Sequence, residues 1–399
     1  MSADHPSIKN PLKSFFLLDP QVVFLNHGSY GACPQPVFEA YQAWQRKLEL
    51  QPVQFFGRDF AEYDRQARQV LSGELNVEPD QIAYIPNATY GVNVIAHSLS
   101  DHPGSPLKAG DEILTTDHEY GACKHAWAYA CRKTGAKYIQ KPIPLPAASS
   151  EEIVEQFWQG VTPRTRLIYL SHITSPTALR FPVEAICQRA RQAGILTAID
   201  GAHAPGQIPL DLKEIEADFY TGNCHKWMMA PKGAAFFYAR PEVQPLVEPL
   251  VVGWGWNPDP SQVKGPALQN YLSWTGTRDP AAALSVPAAI QFAQAHHWEA
   301  VRQACHNLLR QAIESLCDLT GLLPYYPLAS DLYRQMGIAP LPEEVEVEVF
   351  RKRLYADFHI EIPVIEWNGN KCLRISVQGY NTSKDLEALV EAVRVLLYS

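Results

Sequence analysis

Leu196-Thr197-Ala198-Ile199-Asp200-Gly201-Ala202-His203 opens as an apolar run and stops on a carboxylate followed by glycine. Such a run reads as a short buried strand that delivers an acid at its carboxyl end. Downstream, Phe219-Tyr220-Thr221 and Ala234-Ala235-Phe236-Phe237-Tyr238 read as further strands. Upstream, strands alternate with helical periodicity. Ile82–Ile85 precedes a helix over Tyr90–Leu99, and Glu112–Thr115 one over Ala122–Lys133. Lys137–Ile139 precedes Ser150–Trp158, and Leu167–Leu170 precedes Pro182–Gln192. Short apolar strands alternating with helices imply an α/β fold: a mostly parallel sheet covered on both faces. In such sheets ligands bind beyond the carboxyl ends of the strands.

The flanks differ. Residues 1–20 are polar and Pro-dotted, and are expected to form an arm. Val22–Leu25 reads as a strand running into the Gly-rich turn Asn26-His27-Gly28-Ser29-Tyr30-Gly31. Helical periodicity spans 35–75, and 253–280 is irregular and rich in Gly, Trp and Pro. Pro280–Cys317 reads as one long helical stretch. Val345–Phe358 follows as a helix, then strands at Ile360–Ile365 and Cys372–Val377, and a helix over Ser383–Leu397 with Ser383 as its N-cap. The expected organisation is an arm (1–20), a large ligand-binding domain (21–270) and a small C-terminal α+β domain (271–399).

The 399 residues are 46% hydrophobic and 19% charged, which excludes disordered, collagen-like and coiled-coil chains. A net charge of −8 argues against nucleic acid as a partner. No run of 18 apolar residues predicts a membrane span, and the first residues lack a signal-peptide pattern. The eight cysteines contain no C-x-x-C pair and read as reduced thiols of a cytoplasmic protein. No metal site is expected: His118-Glu119 begins like a zincin helix, but Ala122 stands where the second histidine belongs. Neither G-x-G-x-x-G, a P-loop nor G-x-S-x-G is present.

Three strand-end segments remain. Asn87-Ala88-Thr89-Tyr90-Gly91 opens a helix, as a phosphate cradle or an ordinary Thr cap. Asp200 is a functional carboxylate or a loop cap. Lys226, in Gly222-Asn223-Cys224-His225-Lys226-Trp227, is a surface lysine or a desolvated amine nucleophile. Together they fit pyridoxal phosphate, which needs an amine for a Schiff base, an acid against its ring nitrogen and a phosphate cradle. At about 4 Å and an effective dielectric of ~20, the acid–pyridinium attraction is ~4 kcal/mol.

These segments, with Thr116–Tyr120, Ser171–Ser175 and Thr275-Gly276-Thr277-Arg278-Asp279, resemble the class V aminotransferase family of fold-type I pyridoxal-phosphate enzymes. Within it the chain is most similar to isopenicillin N epimerase and its relatives, over nearly its whole length. The resemblance implies a seven-stranded sheet and a homodimer with shared active sites. It implies Lys226 as Schiff-base lysine and Cα proton shuttle, Asp200 against the pyridine nitrogen, and His203 near the phenolic oxygen. Ala88, Thr89, Asn223 and His225 would bind the phosphate, joined by Thr277 of the partner subunit. Tyr120, favoured over His118, would stack on the ring. Arg374 would grip the carboxylate of an amino-acid substrate. Asn26, Gly28 and Ser29 would line the substrate side, and Arg278 and Phe55–Arg58 would add contacts across the dimer.

Desulfurases of the family need a cysteine on the loop before that arginine. Residues 361–371 contain none, and Cys372 is expected to pack within a strand. The reaction the resemblance implies is isopenicillin N epimerase-like: removal of a Cα proton and its return on the other face. The alternatives are β-elimination by a C–S lyase, or transamination; a non-enzymatic binding protein is disfavoured because Lys226 and Asp200 are both present.

Overall fold

A computed structural model of the chain describes residues 12–102, 104, 106–259, 262 and 265–398. Twelve strands are described: β1 Val23–Phe24, β2 Ile82–Ile85, β3 Glu112–Thr116, β4 Lys137–Lys141, β5 Thr165–Ser171 and β6 Leu196–Asp200, then β7 Phe219–Asn223, β8 Ala235–Ala239, β9 Met336–Pro340, β10 Ile360–Glu361, β11 Val364–Trp367 and β12 Asn370–Ser376. Seven of them form the central sheet in the order β2-β8-β7-β6-β5-β3-β4. Within it only β8 runs against its neighbours; the other pairings are parallel.

Period-two alternation builds an apolar layer on each face of this sheet. Leu170, Ile199, Tyr220 and Phe236 belong to one core cluster. Their neighbours Tyr169, Ala198, Phe219 and Phe237 belong to a second. Burial on both faces is why these strands read as continuous apolar runs rather than alternating ones.

The smaller C-terminal part holds an antiparallel sheet, β11-β12-β9. β9 was not legible in the sequence, because Gly337 and Pro340 depress strand propensity; an edge position tolerates both. β1 pairs in parallel with β10, so the N-terminal segment lies on the C-terminal part and not in the central sheet. That pairing leads Asn26 onto Ser376 and brings residues 26–31 to the cavity described below. The expected turn there is one helical turn, His27–Tyr30. It closes on Gly31 at φ +72°, where a Cβ would lie 2.1 Å from the His225 carbonyl oxygen.

Several expected boundaries change. The long helix from Pro280 is three helices, Ala281–Leu284, Val286–Ala295 and Trp298–Thr320. Pro287 lacks an N–H and restarts the helix, and His297 at φ +49° breaks it again. Periodicity over 35–75 is interrupted by the Phe55–Asp59 π-turn. Pro363 falls between β10 and β11, dividing the expected Ile360–Ile365 strand. The last helix begins at Ser383 itself, so Thr382 stands at the cap position. Of the expected N-terminal arm, residues 1–11 lie outside the described residues; Phe16 is buried and meets the Tyr380 ring edge-on.

Candidate active site

Three adjacent strands end on polar residues at one rim of the sheet: Ser171 on β5, Asp200 on β6 and Asn223 on β7. They face a cavity of about 470 Å³. Ala88, Thr89, Tyr120, His203, His225, Lys226, Gly28, Ser29 and Arg374 complete its wall with Tyr30, Ser175 and others. Eleven of the fourteen expected site residues thus converge on it; Asn26, Thr277 and Arg278 do not.

Asp200 is buried and held from both sides. Its Oδ1 accepts the Ala202 N–H at 2.9 Å, and its Oδ2 accepts the Tyr169 hydroxyl at 3.3 Å. Burial pushes its carboxyl up from the ordinary range. An acid so placed is one cation short, and a protonated ring nitrogen would supply it.

Lys226 follows β7 in a polar-to-apolar transition that ends on buried Trp227. Desolvation, with help from Arg374, lowers its amine to about 8. Its Nζ lies 3.1 Å from His203 Nε2, and the Trp227 indole donates to His203 Nδ1 at 3.3 Å. Burial holds the His203 ring neutral. With Nδ1 accepting, that neutral ring carries its proton on Nε2, facing Nζ. The geometry therefore suits an unprotonated amine, the nucleophilic form.

The helix Ala88–Asp101 is capped by Asn87, whose side chain accepts the Tyr90 N–H; the cap is not Thr89. Asn223 Oδ1 accepts the Ala88 N–H at 2.8 Å, tying β7 to the helix start. First-turn amides and the helix dipole make this wall an anion cradle. His225 donates through Nδ1 to the Ala234 carbonyl at 3.0 Å, and burial lowers it to about 4. An adjacent phosphate would raise it and give Nε2 a proton to donate.

Arg374 is buried without a carboxylate partner among the described residues. Its guanidinium donates to the Ser175 carbonyl at 2.7 Å and to Ser29 Oγ at 2.9 Å, and its Nε has no partner. Desolvation lowers it to about 10. A buried, incompletely bonded guanidinium is a ready site for a carboxylate.

Asn26 stands one step behind the wall. It accepts the Ser29 hydroxyl at 2.5 Å and donates to Glu361 at 3.0 Å, so it orients Ser29 beneath Arg374. Thr277 and Arg278 line a separate recess of about 290 Å³ with Phe56. His118 is buried behind the wall, bonded to Thr177 and the Ile143 carbonyl, which leaves Tyr120 at the cavity. Cys372 is buried on β12, and desolvation pushes its thiol up to about 12, the reverse of a reactive cysteine.

Sequence reading gave no role to Ser171, Ser175 or Glu119. Glu119 is buried and accepts the Ser171 N–H at 2.9 Å and hydroxyl at 2.6 Å, and the Thr116 hydroxyl at 2.8 Å. Burial, with Asp200 nearby, raises it to about 7. The one available signal was an acid one residue before Tyr120, next to a strand end.

The family model for aminotransferase class-V matches residues 23–389. The chain belongs to the class V aminotransferase family. Isopenicillin N epimerase of Amycolatopsis lactamdurans is 35% identical over 388 residues, covering 95% of this chain and 96% of that protein. A putative L-cysteine desulfhydrase of Oryza sativa subsp. japonica is 30% identical, covering 94% and 83%. The apo structure of cysteine desulfurase from Thermococcus onnurineus NA1 shares the fold, with a TM-score of 0.83 at 19% identity, covering 100% and 99%. Members of the class V aminotransferase family are pyridoxal-phosphate enzymes, and pyridoxal phosphate is the cofactor of this chain. The cavity fits that group: an acid lacking its cation, a lowered amine and a helix-start anion cradle surround one space. No helix among the described residues is long and apolar enough to cross a membrane.

Proposed function

We propose that this chain removes the Cα proton of an amino-acid substrate and returns a proton to the opposite face, an epimerisation of the isopenicillin N epimerase type. The observation that carries the reading is the Lys226–His203 contact in a cavity that also presents Asp200 and Arg374. When bound, pyridoxal phosphate supplies the electron sink that makes a substrate Cα–H acidic. Lys226 would hold the cofactor through Nζ and, as a free amine, would take the Cα proton on its own face, the return on the opposite face falling to a group across Cα. His203 keeps the Lys226 amine oriented and unprotonated. Asp200 would favour the protonated form of the ring nitrogen. Ala88, Thr89, Asn223 and His225 would hold the phosphate, Tyr120 would cover the ring, and Arg374 with Ser29 would orient the substrate carboxylate.

A second reading, C–S β-elimination, draws support from Lys226 being the only lysine among the described residues of the wall and from the 30% identical putative desulfhydrase. Elimination needs a single base, whereas epimerisation by two bases needs a partner across Cα. Desulfuration through a persulfide lacks its nucleophile, given buried Cys372.

The protein acts as a homodimer in this reading, with Thr277 and Arg278 completing the partner's site. Support comes from the exposed position of Thr277 and from Trp254, which is 95% exposed. All eight cysteines are free thiols, which suits a reducing compartment such as the cytoplasm.

The test is proton exchange. Holoenzyme is incubated in D2O with a panel of L-amino acids and aminoadipyl peptides, following the Cα–H signal by NMR, optical rotation, and sulfide and pyruvate release. Exchange with loss of optical purity and no sulfide supports the epimerase. Sulfide and pyruvate from cysteine or cystine replace it with the lyase. No exchange with any substrate rejects both.

A further inference from the structure

Two distant stretches meet at one rim of the cavity. The first is the 117–120 turn after β3, which ends on Tyr120 of the wall. The second is the β11–β12 hairpin, whose second strand carries Arg374. Asn368 and Gly369 form its two-residue turn, at φ +47° and +79°, between the paired Trp367 and Asn370. Both central residues left-handed is the type I′ geometry, which matches strand twist and makes a well-defined tip.

That tip is docked. Asn368 Nδ2 donates to Asp117 Oδ2 at 2.6 Å, and the Trp367 indole donates to the Asp117 carbonyl at 3.2 Å. The Trp367 ring lies 4.2 Å from the His118 ring. The receiving turn is itself braced. Asp117 Oδ1 accepts the Ile143 N–H at 3.0 Å, and His118 meets Thr177 Oγ1 at 2.7 Å. Thr177 in turn meets Thr174 at 2.7 Å, beside the Ser175 that receives Arg374.

The other end of β12 is also anchored. The Ser376 N–H donates to the Leu25 carbonyl at 2.9 Å, and Ser376 Oγ accepts the Gly28 N–H at 3.2 Å. Arg374 thus sits between two fixed points, one at Ser376 and one at the hairpin tip. A long guanidinium needs a fixed strand if its fork is to meet a carboxylate edge-on, because bidentate geometry tolerates little displacement.

We propose that Asn368, assisted by Trp367, is a positioning residue for recognition of the substrate carboxylate. The docked tip holds β12 so that Arg374 faces the cavity beside Tyr120, coupling the carboxylate grip to the ring-covering turn. This rests on the reading that Arg374 receives the α-carboxylate.

The experiment titrates holoenzyme with an amino acid and with its primary amide, following the visible band of the bound cofactor. The variants are Asn368→Asp, Asp117→Asn and the two together. Asn368→Asp sets carboxylate against carboxylate, and amino-acid affinity falls by about tenfold, while amide affinity stays unchanged. The double variant restores a donor–acceptor pair in reverse, and affinity returns to within about threefold. Equal loss for acid and amide, no loss, or no recovery in the double variant overturns the proposal. If the unsubstituted holoenzyme binds acid and amide alike, the Arg374 reading fails, and this inference with it. Unfolding midpoints are read alongside. Asn368 is exposed; should the Asp variant unfold below assay temperature, Asn368→Ala takes its place, with the same acid-selective loss expected.

Discussion

The inner wall of the cavity and its rim are built in opposite ways. On the inner wall, Asp200, Asn223 and Lys226 come from β6, β7 and the residues just beyond, neighbours in both sequence and space. The rim joins Ser29, Ser175 and Arg374, which lie far apart in the chain and meet through hydrogen bonds of 2.7–3.1 Å. Strand pairing fixes the wall, whereas long-range docking of the C-terminal part fixes the rim. The wall should therefore govern whether chemistry occurs, and the rim which substrate is held.

The sharpest division would come from Lys226→Ala. Loss of the amine should abolish the covalent cofactor band and lower Cα proton exchange by about 10⁴-fold, read by absorbance and NMR. Retention of exchange would move the proton shuttle out of the inner wall. Arg374→Ala should leave that band intact and raise KM for amino acids ~10- to 100-fold, with a smaller effect on kcat. A loss confined to kcat would erase the distinction between wall and rim.

A third prediction follows from the lowered Lys226 amine. Cofactor capture needs the neutral amine, so its rate in apoprotein should rise with pH up to about 8 and then level off, not climb on towards 10.5. Below that point the neutral fraction drops about tenfold per pH unit. Stopped-flow absorbance after mixing apoprotein with pyridoxal phosphate measures this. A midpoint near 10.5 would mean that burial does not act on the wall as described.

The smallest effect belongs to the outer recess. Thr277→Ala should weaken cofactor binding by about three- to tenfold, the worth of one ordinary exposed hydrogen bond, if Thr277 reaches the partner's phosphate. Fluorescence titration of the apoprotein gives the affinity, and light scattering the oligomeric state. An unchanged affinity in a proven dimer would confine Thr277 to the recess it lines with Phe56.

Much of the wall was legible because its signals are local. An apolar run that ends on Asp200, and a lysine between Asn223 and Trp227, can be read without knowing what packs where. Glu119 escaped that reading because its chemistry depends on burial and on Ser171, a residue of another strand. The family resemblance implied Asn26 on the substrate side, and in the structure it turns to Glu361 and braces Ser29 from behind. β9 and the divided helix after Pro280 were missed for a related reason. Pairing with β12 outweighs the poor strand propensity of Gly337, and one proline restarts a helix that periodicity alone would run through.

The sequence by itself determined the α/β class, the family and the strand-end residues suited to pyridoxal phosphate, because hydrophobic period and short motifs are properties of neighbouring residues. Tertiary structure alone decided that β1 joins the C-terminal part, that the hairpin tip docks on Asp117, and that Arg374 is buried with a donor to spare. Those features depend on which surfaces exclude water together. Desolvation, which lowers Lys226 and raises Asp200, exists only once the chain has closed around them.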